Sequence, residues 1–154
     1  MLHRLLPKQV DNDYRGNLLA VWAFVPICAV TIVRSLIHMF RSDGGAQSIA
    51  TIPLDSYPPQ AANAVVTIFA LWGLSQLLLG LLYLVVLIRY RALIPLMYLT
   101  LIAEYLGRIG LGTWKPLETL ETPPGASMSL IMVVLAATML ALALRAPQSG
   151  KRTD

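Results

Sequence analysis

Four side chains in an otherwise apolar sequence are able to do chemistry inside a membrane. Glu104 and Arg108 lie four residues apart, and Arg34 and His38 lie at the same spacing. Residues four apart stack on one helix face, so within each pair the side chains reach each other. An ionised group in hydrocarbon costs about 3 kcal/mol or more on insertion scales, so it persists only beside a partner or a wet cavity. The spacing therefore predicts that both pairs face the interior and meet. With only Glu104 negative, the two arginines leave an excess of positive charge, and three arrangements answer it. An anion can balance it: a lipid phosphate, a carboxylate or a reduced quinone oxygen. Alternatively, Glu104 and His38 can move protons, since an imidazole titrates near neutrality. In the third arrangement the charges only tie the first and third helices together.

The usual catalytic signatures are not in the sequence. It contains no HExxH, CxxC, GxSxG or phosphate-cradling GxxxxGK[ST] pattern, so catalytic residues stay unknown. No metal or cofactor is expected, because the ligand types for one are lacking and the two histidines, His3 and His38, fall on opposite sides of the membrane in the topology below. The single Cys28 sits within the first apolar block, which excludes a disulfide framework within one chain.

The elements that must position these residues are membrane-spanning helices. Of 154 residues 56% are apolar and 13% charged, with a mean hydropathy of +0.66, well outside the usual soluble composition. Four apolar blocks, about Asn17–Phe40, Ala61–Ile88, Ala92–Leu111 and Ala126–Leu144, are each near the roughly 20 residues that span a bilayer core. The fold class expected is all-α, an integral membrane four-helix bundle over residues 17–144, with tails at 1–16 and 145–154. The longest connector, 41–60, is too short for a soluble domain with its own core.

Charge sets the expected topology. With the N-terminus cytoplasmic, the inner segments carry Arg4, Lys8, Arg15, Arg89, Arg91, Arg145, Lys151 and Arg152, against Arg41 and Lys115 outside. That asymmetry predicts both termini in the cytoplasm. The net charge of +4 then reflects topology, and basic residues spread over three short segments argue against nucleic acid as a partner. The first block is an anchor and not a cleaved signal, because its apolar run Leu18–Val33 exceeds the usual h-region and Arg34, His38 and Arg41 follow it.

Rise along the helix sets the depth of each group. Arg34 stands about 26 Å from the start of its block, Glu104 about 18 Å and Arg108 about 24 Å from the start of theirs, so all three fall in the outer half. In the first block Trp22 suits the inner interface, Pro26 should bend the helix, and Ile27, Thr31, Arg34 and His38 share a face. Snorkelling to the nearby surface is the competing account of Arg34 and His38. In the second block Phe69, Trp72, Gly73, Gln76, Gly80 and Tyr83 share an arc assigned to the interior. The very short Arg89–Arg91 connection makes the second and third helices antiparallel neighbours. Met97, Leu101, Glu104, Arg108 and Leu111 line one face of the third, after which Gly112–Gly125 leaves as a loop. The fourth helix reads as scaffold. The loop at 41–60 reads either as a cap across the outer mouth or as a plain connector, and residues 1–16 read as a solvated tail grazing the headgroups.

A short N-in four-helix chain with WGLSQLLLGLLY in its second helix, EYLGRIGLG ending its third and a Pro-containing loop before an apolar fourth resembles the DoxX-like group of small bacterial membrane proteins. The resemblance spans about residues 17–144. It implies a four-helix bundle in the bacterial inner membrane and, for the better-known members, a partner role beside membrane redox enzymes working near quinone. A thiol-linked role does not carry over to a chain with one intrahelical cysteine.

Together these readings predict a polar site in the outer half of the bundle, built from Arg34, His38, Glu104 and Arg108 with Trp72 and Gln76 below it. The expected function is a non-enzymatic accessory or ligand-binding one, for an anionic lipid or a quinone-like molecule. The alternative is a membrane-embedded enzyme on a lipid or quinone, using Glu104 or His38 for proton transfer. The partners expected are the lipid bilayer and a second copy or a larger membrane complex.

Overall fold

A computed structural model describes residues 2–145. The basic Lys151 and Arg152, and all of the expected C-terminal tail beyond Arg145, lie outside the described residues. The chain is all-α: a short α1 (Leu2–Leu5), then α2 (Leu18–Phe40), α3 (Pro59–Arg89), α4 (Ile94–Trp114) and α5 (Pro124–Leu144). Helices α2 to α5 are each long and apolar enough to cross a membrane, and together they form a multi-pass four-helix bundle.

The helix ends follow local chemistry. Asn17 caps α2, its side-chain oxygen accepting from Leu19 N at 2.9 Å. Proline opens α3 at Pro59 and α5 at Pro124, where a missing N–H costs nothing. This starts α3 before the expected Ala61 and makes Pro124 and Gly125 helical instead of loop. Helix α4 likewise continues past Leu111 to Trp114, Lys115 N closing it on Leu111 O at 2.8 Å, so Gly112 is helical too.

Packing on the inside follows residue size. At Gly73 an added Cβ would stand 2.8 Å from His38 Cβ and 3.0 Å from Ser35 O, and at Gly80 2.9 Å from Ile32 Cγ1, so α2 and α3 approach closely along the glycine face of α3. Toward the terminal end, the Phe24 ring packs on Tyr83 at 5.2 Å and on Tyr98 at 5.4 Å, joining α2, α3 and α4. Tyr98 OH donates to Ala20 O at 2.6 Å. On α2, Thr31 and Ser35 donate back to Ile27 O and Thr31 O, which satisfies both hydroxyls on the buried face.

Two expectations are corrected. First, α3 and α4 are joined by the shortest connection yet are not close neighbours: α3 packs on α2, α4 packs on α5, and the backbones of α3 and α4 hardly approach. A tight turn holds only one end of two helices, and the glycines that permit close approach on α3 face α2. Second, residues 2–16, although mostly exposed, are not a free tail but are docked on the bundle. Arg4 donates to Leu144 O at 3.2 Å, Asn17 N to Leu142 O at 3.2 Å, and Ala92 N to Asp11 O at 3.3 Å. A helix C-terminus leaves its last carbonyls without partners, and the end of α5 is answered here by this segment. Tyr14 is half-buried beneath the core, and burial pushes its phenol up to about 12.

Replacing Gly73 by valine should lower thermal stability by about 1–3 kcal/mol, because backbone and not a flexible tip stands in the way. Gly107→Ala on α4, where a Cβ meets nothing within 4 Å, should raise it slightly. Equal effects in thermal melts in detergent would contradict this packing.

Candidate functional site

The expected site residues converge at the end of the bundle far from the termini, but through intermediaries. Arg34 on α2 donates from Nη2 to Gln76 Oε1 at 2.7 Å, and Gln76 Nε2 donates to Glu104 Oε1 at 2.7 Å. Arg108 completes the row, its Nε donating to the same Glu104 oxygen at 3.1 Å while its Nη2 makes the ion pair. The row Arg34–Gln76–Glu104–Arg108 thus crosses α2, α3 and α4. An amide suits the middle position because it accepts from a guanidinium with one atom and donates to a carboxylate with the other. Gln76 is buried. It was expected below the charges, whereas it stands between them, and Arg34 and Glu104 do not touch.

A second row runs along aromatic faces. The Arg108 guanidinium carbon sits 4.9 Å from the Trp72 ring centroid and 5.2 Å from that of Tyr105, and Arg34 lies 6.0 Å from the same indole. His38 packs on the same indole, with centroids 4.6 Å apart, and Phe69 meets both rings edge-on. Trp72 is therefore the wall on which both arginines and the histidine rest. Tyr105 was not singled out from the sequence, although its position three residues before Arg108 places it on the adjoining face.

His38 does not snorkel. It is 4% exposed, and its Nδ1 donates to Gly44 O at 2.7 Å. That bond draws residues 42–57 over the end of the bundle as a cap, which decides between the two readings of this loop. Gly44 and Gly45 turn the chain at φ +60° and +75°, a region that side-chain-bearing residues avoid. Ala46, Ile52 and Leu54 then bury themselves on Val65, Val66 and Phe69 of α3. The loop after α4 is fastened to this cap at Thr51, whose O accepts from Leu120 N at 2.9 Å and whose Oγ1 donates to Glu121 O at 2.7 Å.

Electrostatically the site is unbalanced. Glu104 is engaged by Arg108 and Gln76, and among the described residues Arg34 has no carboxylate partner. Two polar atoms are buried without a hydrogen-bond partner, Arg34 Nε within the row and Tyr83 OH two turns of α3 from Gln76 toward the termini. The Arg108 and Glu104 side chains are 24% and 21% exposed, so the row can be reached. Among the described residues no group of three or more His, Cys, Asp or Glu is placed to hold a metal.

Compared with family models, with curated proteins and with solved structures, the chain matches none.

Two predictions follow from this geometry. Gln76→Leu takes from Arg34 its side-chain acceptor and from Glu104 one of its two partners, and should cost about 1–3 kcal/mol in thermal stability, whereas Ser75→Leu, one residue away and exposed, should cost little; similar melts for the two would contradict the bridging role. The second concerns the cap. Burial raises the Asp43 carboxyl, but hydrogen bonds from Ser48 and Gly45 and the Arg41 charge outweigh it and hold it at about 2 against an ordinary 3.8. The folded value is depressed, so the stabilisation is complete above 3.8 and is lost as pH falls toward 2. Proteolysis within 42–57 should therefore rise in that acid window, and Asp43→Ala should raise it at neutral pH and flatten the acid dependence. An unchanged profile would count against this role for Asp43.

Proposed function

We propose that this is a non-enzymatic membrane protein that binds the anionic head of an amphiphile against Arg34, Arg108 and Trp72, in an accessory role beside a second copy or a larger membrane complex. The observation that carries the reading is the uncompensated Arg34. A guanidinium in an apolar environment needs charge and hydrogen-bond partners, and an amide oxygen supplies only part of that. A lipid head group or the ionised oxygen of a reduced quinone-like molecule would supply the rest. The proton-transfer alternative draws less support: the Glu104 oxygen in the row accepts from both Gln76 and Arg108, and His38 Nδ1–H is committed to Gly44.

In this reading both termini are cytoplasmic and the capped end faces outward, as the basic residues favour. The protein resides in the inner membrane of a bacterium and belongs beside the DoxX-like proteins, as the WGLSQLLLGLLY and EYLGRIGLG segments imply.

The test is the lipid that co-purifies. Wild-type protein extracted in mild detergent should retain an anionic lipid detectable by native mass spectrometry. Arg34→Gln should lower that retention at least about tenfold, roughly 1.4 kcal/mol, while leaving the fold intact by circular dichroism. A wild type that carries no such molecule, together with an Arg34→Gln variant that fails to fold, would leave the charges a purely structural role.

A further inference from the structure

We propose that the molecule held by this site is a phosphate-bearing membrane lipid that arrives sideways, through the gap between α3 and α4, while the two loops close the aqueous side. This deepens the anion-binding reading and rests on it.

The aqueous side is shut by chain that is folded, not merely draped. Gly44, Gly45 and Ala46 are buried, and a Cβ added at Gly45 would stand 3.4 Å from His38 Nδ1, so this turn lies directly on the imidazole. The imidazole in turn lies on Trp72, the wall of the site. The cap has its own small apolar core and is clasped to the second loop through Thr51. Thr51 adopts φ +55°, a conformation costly for a β-branched residue, and it is held there by backbone and hydroxyl bonds to Leu120 and Glu121. A freely diffusing anion would have to displace these contacts to reach Arg34.

The membrane side is open. The backbones of α3 and α4 hardly approach beyond their connection, and at this level they are joined by side chains, Gln76 to Glu104 and Trp72 to Arg108. Beside Glu104 on α4, Gly107 has nothing within 4 Å of where a Cβ would stand, and neither has Gly110 about one turn further on. Two orphaned polar atoms remain in the bundle near this level: Arg34 Nε on α2, and Tyr83 OH on the same face of α3 as Gln76, two turns toward the termini. A phosphate has enough oxygens to accept from guanidiniums on two helices, which a planar carboxylate does less well.

The test uses the full chain in phosphatidylcholine nanodiscs doped with phosphatidylglycerol. Retained lipid is counted by native mass spectrometry after release, with and without excess inorganic phosphate. Phosphatidylglycerol should be retained, and inorganic phosphate should not displace it. Gly107→Phe should lower retention about tenfold, because a helical side chain leans back over the preceding turn, here the one holding Glu104. Gly110→Phe, one turn further along, is the second blocking variant; both positions are open, so melting should not fall. If inorganic phosphate displaces the lipid, or both phenylalanine variants retain it as wild type does, sideways access is overturned while Arg34-dependent anion binding stands. If neither phosphatidylglycerol nor phosphate binds the wild type, the anion reading falls with it.

Discussion

The structure depends on keeping a guanidinium, partly buried among apolar helices, supplied with partners. Arg34 is partly buried against α3, and the answer is a relay: an amide on α3, then a carboxylate on α4, then a second guanidinium on the same helix. Each member is required by the one before it. A glutamine bound only to Arg34 would leave its own N–H groups short of an acceptor, and a glutamate bound only to Gln76 would be an unpaired charge. Because the members come from three helices, the relay also sets how α2, α3 and α4 stand relative to one another near the capped end.

The rest of the fold divides around this relay. Apolar packing does the work at the terminal end, where Phe24, Tyr83 and Tyr98 interlock, and close glycine packing joins α2 to α3. At the capped end the interior is too polar for that solution, and aromatic faces take over: Trp72 and Tyr105 under Arg108, and Trp72 under His38. The cap over His38 completes the enclosure from one side only. A bundle tight at one end, and held at the other by polar side chains across a gap, is suited to admitting a ligand at the second.

Much of this was legible in the sequence, for identifiable reasons. Four long apolar runs define spanning helices almost by length alone, and the four-residue spacing of Glu104 with Arg108 required the ion pair that is found. The arc holding Trp72 and Gln76 was assigned inward because a glutamine is costly in lipid, and Gln76 is buried. The relay order was not legible, since periodicity reports faces and not which side chain stands between two others. Nor was the docking of residues 2–16, which depends on unpartnered carbonyls at the end of α5, more than a hundred residues away. The separation of α3 from α4 was missed because their short connection constrains one end only.

The relay is tested most directly by a double-mutant cycle between Arg34 and Glu104, which do not touch. Thermal stability of Arg34→Gln, Glu104→Gln and the double variant should reveal a coupling of about 1 kcal/mol or more, and repeating the cycle in a Gln76→Leu background should abolish it. Additive effects with Gln76 present, or a coupling that survives without Gln76, would contradict the account.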